Sequence, residues 1–132
     1  MTIDQATDTI YVADLENGEG PGAVSVINGA TCDGTDHSGC GRTPPAVTVG
    51  FGLFGIAFDP ANRTVVVTNQ EDTSASVIDA ATCNAVISSS CGSSQPRLAV
   101  GRAPTAVAVN PAVGTIYVST SDGTVSIIPA IR

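Results

Sequence analysis

The chain has 132 residues, of which 42% are hydrophobic and only 13% charged, a composition too apolar for a disordered segment. Its formal net charge of −7 disfavours contact with phosphate backbones and anionic lipids, so we expect neither nucleic-acid nor membrane-surface binding. No apolar run approaches the roughly 18 residues of a membrane span. Val, Ile and Thr are abundant, and this chemistry favours β-strands.

The first predicted strands belong to a sequence segment that is repeated later in the chain. Residues 4–12 return as residues 59–67, shifted by 55, and again as residues 110–118, shifted by a further 51. The Ser-Val-Ile of residues 25–27 returns at residues 76–78, shifted by 51, within the segment Ser-Val-Ile-Asp at residues 76–79. A period of about 50 residues is typical of repeat arrays, in which each unit buries its apolar faces against its neighbours.

An acidic insertion distinguishes the first copy. Its extra residues fall at 16–22, where Glu16 and Glu19 follow Asp14 among glycines. Calcium binding is conceivable here, but the alternating acidic spacing of a calcium loop is missing. A solvated surface loop is favoured, and a recognition element stays open as an alternative.

The next feature in chain order is a pair of cysteines that also repeats. Cys32 and Cys40 return as Cys83 and Cys91, each shifted by 51. We predict one disulfide within each unit, Cys32–Cys40 and Cys83–Cys91, each worth roughly 2–3 kcal/mol. Disulfides imply an oxidising compartment, so we expect an extracellular or cell-surface protein.

A zinc site is the alternative for the first cysteine pair. Cys32 and Cys40 would need His37, the only histidine, together with Asp33 or Asp36. The spacing does not match a zinc knuckle, and the second pair encloses neither His nor an acidic residue. We therefore expect no metal, no cofactor and no catalytic residue, with His37 exposed in a loop.

The segment before the second unit carries two glycines and two of the three phenylalanines. Gly50 and Gly52 predict a turn at the end of a strand, because no helix follows that would make a phosphate cradle. Phe51, Phe54 and Phe58 cluster around the junction between the first two units. Core packing is the expectation for all three, with Phe51 and Phe54 exposed at an interface as the alternative.

The middle unit contains all four predicted strands. They are bounded by turn residues and separated by short loops, which indicates an antiparallel meander. The predicted strands are residues 55–59, 64–69, 75–79 and 97–101. In the third copy the loop after the second strand shortens to residues 121–124, where Asp-Gly is a strong hairpin signal.

One polar position recurs at the end of each first strand. Asp4, Asp59 and Asn110 occupy it in the three copies. A ring of such groups is a possible cation site. The favoured interpretation is a turn whose side chain accepts hydrogen bonds from nearby backbone N–H groups.

Four short antiparallel strands in about 50 residues match one blade of a β-propeller. We therefore predict an all-β chain of propeller blades, each a four-stranded antiparallel meander. The predicted units are residues 1–54 with a truncated first strand, residues 55–105, and residues 106–132 without the outermost strand. The chain would then hold about two and a half blades.

The sequence of these strands resembles the YVTN family of β-propeller repeats. The resemblance lies in Gly-Ile-Ala-Phe-Asp-Pro at residues 55–60, Val-Val-Thr-Asn at 66–69 and Ser-Val-Ile-Asp at 76–79. It implies that the first strand of each blade lines a central channel and that the fourth is outermost. Such propellers occur in surface-layer proteins, binding modules and relatives of lactonases.

Closed propellers typically have about four to eight blades. We therefore expect the ring to be completed by other chains, as a homo-oligomer or filament, or by the remaining blades of a longer protein. The predicted function is an extracellular structural or interaction module with no catalysis of its own. The alternative is a fragment of a lactonase-like propeller hydrolase.

Overall fold

The structure, a computed structural model, describes residues 1–14 and 20–129. Glu16 and Glu19 of the acidic insertion lie outside the described residues. The described part contains strands and a single short 3-10 turn, Gln70–Asp72. The strands are β1 Thr2–Asp4, β2 Thr9–Asp14, β3 Ala23–Asn28, β4 Ala46–Thr48, β5 Leu53–Asp59, β6 Thr64–Asn69, β7 Ser74–Asp79, β8 Arg97–Ala99, β9 Pro104–Asn110, β10 Thr115–Thr120 and β11 Val125–Ile128.

These strands form three antiparallel sheets in chain order. The first sheet has the order β1-β2-β3-β4 and the second β5-β6-β7-β8, while the third contains β9, β10 and β11. The all-β class and the antiparallel meanders are therefore confirmed. Strands β5 and β9 begin slightly ahead of the predicted unit boundaries at residues 55 and 106. None of the described residues belongs to a helix long and apolar enough to cross a membrane.

The hairpin between β5 and β6 shows how the sequence forms these sheets. Strand β6 reads Thr-Val-Val-Val-Thr-Asn, a run of β-branched residues that suits a pleated surface. The turn before it begins at Asp59, whose Oδ1 accepts a hydrogen bond from the Ala61 N–H at 3.0 Å. Arg63 closes the turn with a φ of 51°, in the left-handed region. Turn chemistry at one end and strand chemistry at the other thus fix the hairpin.

Two apolar layers hold the three sheets together. The first layer lies between the first and second sheets and the other between the second and third. In the first layer Tyr11, Val24, Val26 and Val47 meet Val65, Val67 and Ile78. In the other layer Val66 and Ala75 meet Ile116 and Val118. The second sheet is consequently covered on both faces, and every residue of β6 is buried.

The second and third sheets lie close together at Gly55. A Cβ added there would lie 2.7 Å from the carbonyl oxygen of Thr105. The Thr68 hydroxyl donates to that same carbonyl at 2.6 Å and accepts from the Gly55 N–H at 2.8 Å. Glycine is needed here because any side chain would push β9 away from β5.

The phenylalanines behave differently from the expectation of core packing. Phe58 is half-buried against the first apolar layer, as expected. Phe54 is 60% exposed and Phe51 38% exposed, so the expectation is wrong for both. Phe54 lies where the pairing of β5 with β6 shifts register, and Phe51 precedes Gly52, whose φ is 67°. The irregular backbone turns both side chains away from the core.

Candidate functional site

Both predicted disulfides are present. Cys32 and Cys40 are bonded with their Cα atoms 4.8 Å apart, and Cys83 and Cys91 with theirs 5.0 Å apart. The first closes the loop between β3 and β4, which we call the first loop. The second closes the second loop, between β7 and β8. Since both sulfurs of the first pair are bonded to each other, the zinc alternative with His37 is wrong.

The two loops share one backbone turn. In the second loop Asn84 Oδ1 accepts hydrogen bonds from the N–H groups of Val86 at 2.8 Å and Ile87 at 2.9 Å. At the same repeat position, Asp33 Oδ1 accepts from Thr35 at 2.7 Å and Asp36 at 2.8 Å. These backbone hydrogen bonds hold the pKa of the Asp33 carboxyl below its ordinary value of 3.8. One loop therefore contains a titratable turn, while its copy contains a neutral one.

The second loop is sealed against the first sheet. The Tyr11 hydroxyl donates to the carbonyl oxygen of Cys83 at 2.6 Å. Beside it, the Ala85 N–H donates to Thr9 Oγ1 at 2.9 Å. Tyr11 is fully buried, and this desolvation raises the pKa of its hydroxyl. The buried tyrosine thus acts as a neutral hydrogen-bond donor between two sheets.

The first loop has no such cover among the described residues. His37 and most of its neighbours are exposed, and so is Cys40. Cys83 and Cys91, the cysteines of the second loop, are buried. A cleft runs between the two loops, with Cys40 and Pro44 on one side and Val86 on the other. Both loops are therefore accessible along this cleft, but only the second is anchored.

The recurring polar position works as a turn in all three copies. Asp4, Asp59 and Asn110 each accept a hydrogen bond through Oδ1 from the backbone N–H two residues ahead, at 3.0, 3.0 and 3.1 Å. Among residues 1–14 and 20–129, no three His, Cys, Asp or Glu side chains are grouped to hold a metal ion. The favoured turn interpretation describes this geometry.

Asp4 has an additional partner across the sheets. Its Oδ2 lies 3.2 Å from Arg63 Nη2, which belongs to the second sheet. Burial of Asp4 opposes its charged form, but hydrogen bonds from Thr7, the Ala6 N–H and Arg63 outweigh that cost. The pKa of the Asp4 carboxyl therefore lies below 3.8. The result is a charged tie between the first and second sheets.

Two open apolar faces are the remaining candidates for function. The outer surface of the third sheet is here named the front face. It is formed by Ala108, Tyr117, Val125 and Ile127. Cross-strand pairing places Tyr117 opposite both Ala108 and Ile127. Val125 is 58% and Ile127 66% exposed. This face was not predicted from the sequence. The signal that could have revealed it was the alternation of side chains along β10, which places Tyr117 on the side opposite to Ile116 and Val118.

The other open surface belongs to the first sheet. The open surface of the first sheet is here named the back face. It is formed by Ile3, Ile10, Val12 and Ile27. Ile10 pairs with Ile3 on β1 and with Ile27 on β3, so all three side chains share one side of the sheet. Ile3 is 51% exposed, and the others are partly covered. The array therefore presents an apolar surface at each end.

No protein-family model and no curated protein matches the chain, and the YVTN resemblance stays a prediction. A solved structure of Kuenenia stuttgartiensis hydrazine synthase is similar, with a TM-score of 0.61 and 14% identity over 90% of this chain. The matched part is 38% of that chain's length. At this identity the likeness concerns the fold alone.

This neighbour nevertheless corrects one expectation. Hydrazine synthase is an enzyme, which contradicts the prediction that the chain has no catalysis of its own. That prediction depended on cysteines expected to be paired and on His37 expected in an exposed loop. The likeness covers 38% of that enzyme's length, so it does not say which part of the enzyme holds the reactive groups.

Proposed function

We propose that the chain is an extracellular interaction module of YVTN-like propeller blades. In this proposal its front and back faces are binding surfaces for further sheets of the same kind. Those sheets belong either to other chains or to the remaining blades of a longer propeller.

The open apolar faces carry this proposal. Tyr117 is 37% exposed, yet Tyr11 and Val66 occupy the same position in the other two sheets and are fully buried. Isolated exposed apolar residues are ordinary, but a contiguous patch on a sheet is typical of an interaction surface. The same position is therefore buried wherever a neighbouring sheet is present.

The disulfides support the extracellular part of the proposal. Two bonded pairs in a chain of 132 residues suit an oxidising compartment. A net charge of −7 favours solubility, and the side chains that define the two faces are uncharged. Recognition would then depend on shape and apolar contact.

Fluorescence of a dye that binds apolar surface tests the proposal. A dilute sample of the chain should bind the dye, and substituting both faces with Ile3→Lys and Ile127→Lys should remove most of the signal. Val113→Lys is the matched control, since Val113 is 63% exposed in a turn away from both faces. Equal fluorescence from the chain and the doubly substituted variant would contradict the proposal.

A further inference from the structure

We propose that the partner of the front face is the back face of a second copy of this chain, packed head to tail. This inference rests on the proposed function and names one occupant for its surfaces. The template is the contact between the first and second sheets, which the chain already makes within itself.

The back face matches the surface that the second sheet buries against the first. Ile10, Val12 and Ile27 correspond in the repeat to Val65, Val67 and Ile78. Those three residues of the second sheet are all fully buried in the first apolar layer. Ile3 likewise corresponds to Phe58, which packs against that layer. The first sheet thus carries the side chains needed to cover a preceding sheet.

The front face matches the surface that the first sheet presents to the second. Tyr117 and Ile127 form a cross-strand pair, as Tyr11 and Val26 do in the first sheet. Tyrosine occurs only at these two positions in the chain. The second sheet has Val66 at this position, so here the third sheet resembles the first sheet and not the second. A partner that fits Tyr11 should therefore fit Tyr117.

The hydrogen bonds of the internal contact also have counterparts. Tyr11 donates to the Cys83 carbonyl, and the repeat equivalent of Cys83 is Cys32 in the exposed first loop. In the head-to-tail pair, the Tyr117 hydroxyl would donate to the Cys32 carbonyl of the second copy. Thr115, the equivalent of Thr9, would accept from the N–H of Gly34 in the second copy. The first loop would then gain the anchor that the second loop already has.

Charge is sparse on the two faces. The residues that define the front and back faces are all uncharged. The Asp14 carboxylate lies on the same side of β2 as Ile10 and Val12, where it accepts a hydrogen bond from the Ser25 hydroxyl. Each copy carries −7 overall, so two copies repel at long range. Added salt screens this repulsion and should strengthen the association, whereas a contact built on ion pairs would weaken.

A mixing experiment with two single variants tests the head-to-tail geometry. Ile127→Lys blocks the front face and Ile3→Lys blocks the back face, both at exposed positions where the fold tolerates a charge. The unsubstituted chain should form dimers and larger species in light scattering, and each variant alone should be monomeric. An equimolar mixture should form a dimer and nothing larger, because only one intact front and one intact back face remain.

The remaining outcomes separate the possible failures. If Ile3→Lys alone still dimerises, the contact joins two front faces and the head-to-tail inference is wrong. If the unsubstituted chain is monomeric but binds the apolar dye at both faces, the second copy is the wrong partner while the proposed function stands. Tyr117→Phe should weaken the dimer roughly fivefold to tenfold, the value of one lost hydrogen bond. An unchanged dissociation constant would contradict the predicted bond to Cys32.

Discussion

The second and third sheets contain closely related strands in different surroundings. Strand β6 buries all its residues, whereas β10 alternates between buried and exposed positions. Both strands are rich in β-branched residues and both pair on two sides within their sheets. What differs is the number of neighbouring sheets. Burial in this molecule is therefore set by position in the array and not by the strand sequence.

The two disulfide loops repeat this lesson. Their chain separation is the same, and each contains the same backbone turn. The second loop is anchored by Tyr11, while the first is exposed. Four experiments test this contrast between covered and uncovered copies.

The largest effect is expected from a charge placed in the covered layer. Val66→Asp should lower the free energy of unfolding by more than about 4 kcal/mol, because it buries an unpaired carboxylate between two sheets. At the same repeat position, Tyr117→Asp should cost less than about 1 kcal/mol in dilute solution. Urea denaturation measures both. Similar losses from the two substitutions would mean that the third sheet is also covered in the isolated chain.

Removal of the disulfides comes next. Each bond closes a loop with a separation of 8 residues, so the entropic contribution should be about 2.5 kcal/mol for either. Replacing Cys83 and Cys91 by Ala should cost roughly 1–2 kcal/mol more than replacing Cys32 and Cys40, since the buried sulfurs also lose packing. The two double variants can be compared by urea midpoint. If removal of the first disulfide is the costlier change, the contrast in burial is not reflected in stability.

A smaller loss is expected from Tyr11→Phe. This change removes the hydroxyl that donates to the Cys83 carbonyl and leaves a buried acceptor without its partner. The expected cost is about 1–2 kcal/mol. Tyr117→Phe is the matched control and should change the stability of the monomer by less than about 0.5 kcal/mol. Thermal denaturation of dilute samples would show whether only the covered tyrosine contributes.

The smallest effect is a pH dependence confined to the first loop. The pKa of the Asp33 carboxyl is lower in the folded loop than its ordinary value of 3.8. The carboxylate therefore stabilises the turn fully at a pH above 3.8, and this stabilisation is lost as the pH falls through the lowered pKa. Asn84 does not titrate. Amide chemical shifts of Thr35 and Asp36 should therefore move in acid, while those of Val86 and Ile87 should not.

Asp33→Asn provides the control for that titration. The amide can accept the same two backbone hydrogen bonds at any pH, as Asn84 does in the second loop. The acid-induced shifts at Thr35 should then shrink. Persistence of the full shifts in this variant would assign them to another carboxyl group of the loop, such as Asp36.

Local chemistry made much of the fold predictable from the sequence. Strand β6 occupies the predicted residues 64–69, because a β-branched run between two turns leaves little alternative. The disulfide pairing followed from the spacing of Cys32 and Cys40 and its repetition. Strand β8 is shorter than predicted and ends at Ala99. Its end depends on pairing with β7, which sequence does not specify.

Contacts between sheets were the part that sequence reasoning missed. Tyr11 and Cys83 are 72 residues apart, and no local pattern links them. The exposure of Phe54 depends on a register shift in β5, which propensity does not reveal. The tyrosines at equivalent positions 11 and 117 were the one sequence signal for the bond between Tyr11 and the second loop. The signal could not be interpreted from sequence, because the equivalent residue of the second sheet is Val66, which packs against the third sheet.

The left-handed turn at Arg63 has a consequence for how these repeats can vary. The same turn position is Asp8 in the first copy, with a φ of 51°, and Gly114 in the third, with a φ of 66°. Glycine adopts this conformation without strain, whereas arginine bears a penalty of roughly 1 kcal/mol. Arg63 offsets that penalty by reaching Asp4 on the adjoining sheet. A repeat can thus carry a strained residue at this turn when the side chain of that residue ties two sheets together.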